Sequence, residues 1–133
     1  MAVFLSHSEE ETYLWAKRYG ETLKAGDVVL LEGEMGAGKT VIAKGIAAGL
    51  GIPDEVTSPT YAYINSYCGR LFHFDCYRVP SEAYAESLGF SEYFEMGGVC
   101  LIEWSEKIAG LLPPCPKRVQ IVKRGESIRE ITF

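Results

Sequence analysis

Val28-Val29-Leu30-Leu31-Glu32-Gly33-Glu34-Met35-Gly36-Ala37-Gly38-Lys39-Thr40 is the stretch on which the fold turns. Four apolar residues in a row, two of them β-branched, suit a strand buried on both faces, as a parallel sheet requires. Gly33 to Thr40 then matches G-x-x-x-x-G-K-[ST], a pattern in which each residue type has its own task. Glycines let the backbone wrap closely around phosphate oxygens, and amides at the start of the following helix donate to them. The Lys39 amine reaches the β and γ oxygens, and the Thr40 hydroxyl is offered to a magnesium ion. Lys39 to Leu50, closed by Gly49 and Gly51, reads as that helix.

Upstream, Val3 to Leu5 reads as a short first strand, and Ser8 followed by Glu11 forms a capping box. A helix is predicted from about Glu9 to Lys24, with Leu14, Tyr19 and Leu23 among its apolar contacts, before Gly26-Asp27 breaks it. Downstream, Thr57-Ser58-Pro59-Thr60 is a polar loop stiffened by proline, and Tyr61 to Tyr67 alternates apolar with small polar residues. Cys68-Gly69-Arg70 can turn that strand back onto Leu71-Phe72-His73-Phe74-Asp75 as an antiparallel hairpin. Ser81 caps a short helix through Leu88. Val99-Cys100-Leu101-Ile102 is a second buried-strand run ending in Glu103-Trp104, and Ser105 to Leu112 is helical until Pro113-Pro114. Arg118 to Lys123 and Ser127 to Phe133 flank Arg124-Gly125-Glu126 as another hairpin.

Strand, glycine loop and helix in this order predict an α/β fold of the P-loop NTPase type. The expected sheet is mixed and mainly parallel, flanked by helices, with antiparallel hairpins. The 133 residues show no repeat, low-complexity tract or linker, so one domain spanning 1–133 is expected. With 13 basic against 18 acidic residues the net charge is −5, which disfavours an extended nucleic-acid groove. The apolar fraction of 47% disfavours disorder. Met1 to His7 has no basic region leading into an apolar run, and no membrane-length apolar stretch occurs, so a cytoplasmic chain is expected. Cys68, Cys76, Cys100 and Cys115 have neither C-x-x-C spacing nor a nearby histidine partner, which reads as reduced thiols rather than a zinc site.

A phosphate loop also requires a carboxylate near magnesium and a group that orients the attacking water. Two acids end buried-strand runs: Glu103 after Val99 to Ile102, and Asp75 after Leu71 to Phe74. C-terminal strand ends are where open α/β sheets bind ligands. Each acid taken alone also reads as a solvated strand end or a surface ion pair. Thr60 reads equally as a switch residue sensing the γ-phosphate and as part of a stiff connection. His73 reads as a packed core histidine before a base, Arg78 as a phosphate or ion-pair cation, and Trp104 as a cover over the nucleotide or a core residue. The Asn-Lys-x-Asp string that reads guanine is absent, which favours ATP.

Taken in order, Gly33 to Thr40, Thr57-Ser58-Pro59-Thr60-Tyr61, His73-Phe74-Asp75-Cys76-Tyr77-Arg78 and Ile102-Glu103-Trp104 resemble the TsaE (YjeE) family of small bacterial P-loop ATPases. The resemblance spans nearly the whole chain. It implies ATP-dependent participation in forming N6-threonylcarbamoyladenosine in tRNAs that read A-starting codons. In that system TsaC makes threonylcarbamoyl-adenylate, a TsaB–TsaD pair transfers the group, and TsaE binds the pair and hydrolyses ATP, so contact with tRNA is indirect. Carried over, the nucleotide-binding residues are Glu34, Met35, Gly36, Ala37, Gly38, Lys39, Thr40, Val41 and Trp104. Thr40, Asp75 and Glu103 serve Mg2+, and Lys39, Asp75, Glu103 and Thr60 serve catalysis. Val41 stands where many relatives repeat the threonine, which leaves the Thr40 hydroxyl intact. Two other readings fit the loop: a small-molecule kinase, since the loop also looks like that of shikimate kinases, and a binding module gated by nucleotide. The kinase reading lacks an Asp-x-Asp soon after the first helix; Gly51-Ile52-Pro53-Asp54-Glu55 offers only adjacent acids.

Overall fold

Strand β2 (Val28–Glu32) is the buried run expected before the glycine loop, with Val29 and Leu30 fully shielded. The computed structural model describes residues 1–53, 55–57 and 63–133. Two compact units are present: one comprises Met1–Leu23, Leu31–Thr57 and Arg118–Phe133, the other Lys24–Leu30 and Ser58–Lys117. The chain crosses between them within β2.

In the first unit, β1 (Val3–Ser6), β7 (Arg129–Thr132) and β6 (Lys117–Lys123) follow one another, with the end of β2 next in order. Antiparallel registers pair Phe4 with Ile131 and Ile131 with Ile121, so a row of apolar residues crosses the strands. Helix α1 (Glu9–Glu21) starts at Ser8, whose Oγ accepts the Glu11 amide at 3.1 Å. The Glu11 carboxylate accepts from the His7 amide at 3.0 Å rather than from Ser8, and that bond holds its pKa below the usual value. The helix stops at Glu21, short of the expected Lys24. The Thr22 and Leu23 amides close onto the Tyr19 and Gly20 carbonyls, tightening the last turn. Leu14 is 41% exposed and is not a core contact; the buried stripe is Thr12, Trp15, Ala16 and Gly20. Tyr19 stacks on Trp15, and Leu23 is buried, as expected.

Helix α2 (Lys39–Gly49) buries Ile42, Ala43, Ile46 and Ala47. It lies unusually close to α1. A Cβ added at Gly45 would stand 2.5 Å from the Ala16 Cβ, and one at Gly49 would overlap the Lys17 carbonyl oxygen. Only glycine permits that approach.

In the second unit the order is the start of β2, β5 (Val99–Glu103), β4 (Leu71–Asp75) and β3 (Ile64–Tyr67). β4 and β5 are parallel, in register from Leu71–Val99 to Asp75–Glu103, while β3 and β4 form the antiparallel hairpin expected. Its turn places Cys68 and Gly69 at φ 57° and 65°, both left-handed, within the three-residue loop Cys68-Gly69-Arg70 between the paired Tyr67 and Leu71. Tyr61 lies outside the described residues. One face of β4 and β5 contributes Phe72, Phe74, Cys100 and Ile102 to a core with Leu30, Val79, Phe90 and Ile108. Ser81 caps α3 (Glu82–Ser87) through a 3.1 Å bond from the Tyr84 amide, and Leu88 is its C-cap. The stretch Phe90–Glu95, unassigned from sequence, is a 3-10 helix after Gly89, and the helical segment expected from Ser105 is a 3-10 helix over Ser105–Leu111, kinked at Ile108. The mixed α/β architecture agrees with the expectation from sequence.

Candidate functional site

The loop between β2 and α2 owes its shape to three glycines with three different constraints. Gly33 sits against β6, where an added Cβ would fall 2.8 Å from both Cγ2 and the carbonyl oxygen of Ile121. Gly36 and Gly38 take φ of 80° and 111°, which side-chain-bearing residues rarely adopt. At Gly36 an added Cβ would meet nothing within 4 Å, so the backbone there borders open space. Gly38 is the N-cap of α2 and brings no side-chain acceptor to the first amides of the helix. A helix N-terminus without a side-chain cap, preceded by a loop whose backbone borders open space, is a fitting cradle for phosphate oxygens. Lys39 is buried and Thr40 exposed at the first two helical positions. Glu34 and Met35 form the exposed shoulder of the loop, and Ala37 is buried beneath it.

A cavity of about 410 Å³ adjoins this loop, lined by Gly36, Ala37, Gly38 and Val41 on one side. The other side is Ser8, Glu9 and Thr12 at the start of α1, with Glu126, Ser127 and Arg129 from the hairpin between β6 and β7. Arg129 joins the two walls. Its Nε donates to the Ala37 carbonyl at 2.9 Å, and one terminal nitrogen donates to the carbonyls of Gly125, Glu126 and Ile128 at 3.1–3.3 Å. The planar guanidinium thus ties the last hairpin to the Gly33–Thr40 loop. Sequence reading had singled out none of these hairpin residues.

The second unit assembles the acids. Leu71, His73 and Asp75 alternate onto one face of β4, while Leu101 and Glu103 do so on β5. Because His73 is in register with Leu101, Glu103 is its diagonal neighbour across the parallel pair. His73 Nε2 and Glu103 Oε2 are 2.6 Å apart, with His73 fully buried and Glu103 7% exposed. Both strand-end acids of the sequence reading therefore sit at the same C-terminal edge, Asp75 opposite Glu103. The Asp75 Oδ1 accepts the Tyr77 amide at 3.0 Å, and the Cys76 amide donates to the Glu103 carbonyl at 3.1 Å. Trp104 leaves the strand at φ 58°, packs against the second unit's core and meets the Tyr77 ring at 5.0 Å between centroids. Burial, then the nearby Asp75, Glu106 and Glu103 charges, push the Cys76 thiol up to about 12, so it is an inert packing group. Thr60 lies outside the described residues. Lys39, Thr40 and Val41 belong to the first unit, and Asp75, Glu103 and Trp104 to the second.

A family model described as threonylcarbamoyl adenosine biosynthesis protein TsaE matches residues 6–131, which include both the loop and the strand-end acids. The chain belongs to the TsaE family. TsaE of Bacillus subtilis strain 168 is 46% identical over 127 residues, covering 93% of this chain and 79% of that protein. TsaE of Treponema pallidum strain Nichols is 40% identical over 130 residues, 96% of either chain. The crystal structure of Bacillus subtilis YdiB superposes with a TM-score of 0.79 at 38% identity, covering 99% of this chain and 83% of that one. The role this TsaE family membership carries is in the biosynthesis of tRNA threonylcarbamoyladenosine. Among the described residues no helix is long and apolar enough to cross a membrane, and no group of three histidine, cysteine or carboxylate side chains gathers as a metal cluster.

Proposed function

We propose that this chain binds ATP with Mg2+ at the Gly33–Thr40 loop and hydrolyses it in the cytoplasm to support a TsaB–TsaD pair, downstream of TsaC, in tRNA threonylcarbamoylation. The observation that carries the reading is the loop itself: left-handed Gly36 and Gly38 leading into an α2 N-terminus with no side-chain cap. The backbone amides of this turn hold phosphate oxygens, Lys39 balances the charge of the β and γ groups, and Thr40 contributes its hydroxyl to the metal. Magnesium, when bound, neutralises charge on the phosphate oxygens. The cavity beside Val41 and Arg129 takes the nucleoside. Asp75 and Glu103 are the acids that serve the metal and orient water, and Trp104 shields the nucleotide. Hydrolysis is slow in the isolated chain because charge stabilisation in such enzymes is often completed by a partner.

The test is phosphate release measured with and without the TsaB–TsaD pair, for the natural chain, Lys39→Ala and Glu103→Ala. Expected results are turnover that rises with the pair, loss of nucleotide binding or turnover in Lys39→Ala with the fold retained, and binding without turnover in Glu103→Ala. ATP binding with no turnover above background under any condition would leave a nucleotide-gated module instead. Phosphate transfer to a small acceptor in place of release would establish a kinase.

A further inference from the structure

The buried pair of His73 and Glu103 joins residues 30 positions apart in the chain. β4 is otherwise apolar up to its final acid: Leu71, Phe72 and Phe74 flank His73, and each is buried. A leucine or phenylalanine at 73 would suit such a strand better than an imidazole, which brings two polar nitrogens into a dry interior. Among the described residues one of those nitrogens, Nδ1, has no hydrogen-bond partner. The other is accounted for entirely by the 2.6 Å contact to Glu103 Oε2. A residue that breaks the local apolar pattern and leaves an atom unsatisfied, while making one short bond to a strand-end acid, is placed for that acid.

We propose that His73 is a positioning residue: its Nε2–H holds Oε2 of Glu103 and fixes the rotamer in which this carboxylate is presented at the end of β5. The geometry selects the tautomer. With the carboxylate as acceptor the hydrogen is on Nε2, and the unpartnered Nδ1 carries the lone pair. Glutamate has three side-chain torsions, and one bond from a fully buried ring that cannot itself relocate removes most of that freedom. The functional part of this inference rests on the hydrolysis reading given above; the pairing itself does not.

Two measurements test it. In 15N-labelled natural chain, the imidazole of His73 is expected to show a proton on Nε2, shifted strongly downfield, and a bare Nδ1, with the downfield signal lost in Glu103→Ala. A proton on Nδ1 alone, or an Nε2 proton indifferent to Glu103→Ala, would overturn the pairing. In the phosphate-release assay with the TsaB–TsaD pair, His73→Leu is expected to lower kcat by about ten- to a hundredfold with KM for ATP within about twofold. His73→Gln, which returns an N–H donor, should recover much of the loss. Natural kcat in a folded His73→Leu, beside an inactive Glu103→Ala, would refute positioning while leaving hydrolysis intact. Absence of turnover in the natural chain would refute hydrolysis, and the nuclear magnetic resonance result would then decide the pairing alone.

Discussion

Replacing Gly45 by alanine puts two opposing effects on one atom. Gly45 is interior to α2, where alanine is favoured over glycine by about 1 kcal/mol through helix propensity. The added Cβ would lie 2.5 Å from the Ala16 Cβ and 2.7 Å from the Tyr13 carbonyl oxygen, against 3.4 Å for ordinary contact. The helices must therefore separate locally by about 0.9 Å, the difference between 3.4 and 2.5 Å. Neither neighbour can swing aside, since one is backbone and the other is fixed directly to it. Overpacking of this kind costs about 1–3 kcal/mol, and the rigid surroundings put it at the upper end. A gap of that width also weakens dispersion along the seam where Ala16 and Gly20 of α1 meet Gly45 and Ile46 of α2. Net destabilisation is about 2 kcal/mol, a roughly thirtyfold change in the unfolding equilibrium. The assay is urea unfolding followed by tryptophan fluorescence, with a thermal scan expected to show Tm lowered by roughly 6–8 °C. Because α2 begins at Lys39, nucleotide affinity should fall with it. An unchanged or raised midpoint would mean that propensity outweighs contact, and the close approach of α1 and α2 would be refuted.

Arg129→Ala removes the bond to the Ala37 carbonyl and the fork that holds the last turn; it should cost about 1–2 kcal/mol and weaken nucleotide binding about tenfold. Isothermal titration checks this, and natural affinity would show that the tether does not shape the loop. At pH 8 an alkylating reagent should modify exposed Cys68 and Cys115 quickly while Cys76 and Cys100 stay protected, read by intact mass. Burial pushes both protected thiols up to about 12 from an ordinary 9.0. In that window the unfolded chain has lost protons that the folded chain retains, so stability should decline as pH rises from about 9 towards 12. Replacing both by alanine should flatten that alkaline decline in a denaturation series.

Much of this was legible along the chain. Ser8 and Ser81 cap the helices they precede, Cys68-Gly69 turns the β3–β4 hairpin, and Glu103 and Asp75 end buried strands. Each depends on neighbours within a few residues, where backbone conformation and hydrogen bonding are local. The mistaken contact of Leu14 has the opposite cause. An apolar residue is easily assigned to a helix face, but α2 covers the stripe of Ala16 and Gly20, where Gly45 and Ile46 approach, and which stripe is covered depends on the partner helix.

The amino-acid order alone determined the Gly33–Thr40 loop, because a tight left-handed turn followed by helical amides needs particular residue types at consecutive positions. It also determined which acids stand at strand ends. Only the tertiary structure decided what those groups meet. The parallel register of β4 and β5 makes His73 the diagonal neighbour of Glu103, 30 residues away. The β6–β7 hairpin carries Arg129 to Ala37 across 92 residues. Spacing in sequence cannot encode such pairs, since their separation is set by sheet order and strand register rather than by the reach of the local chain.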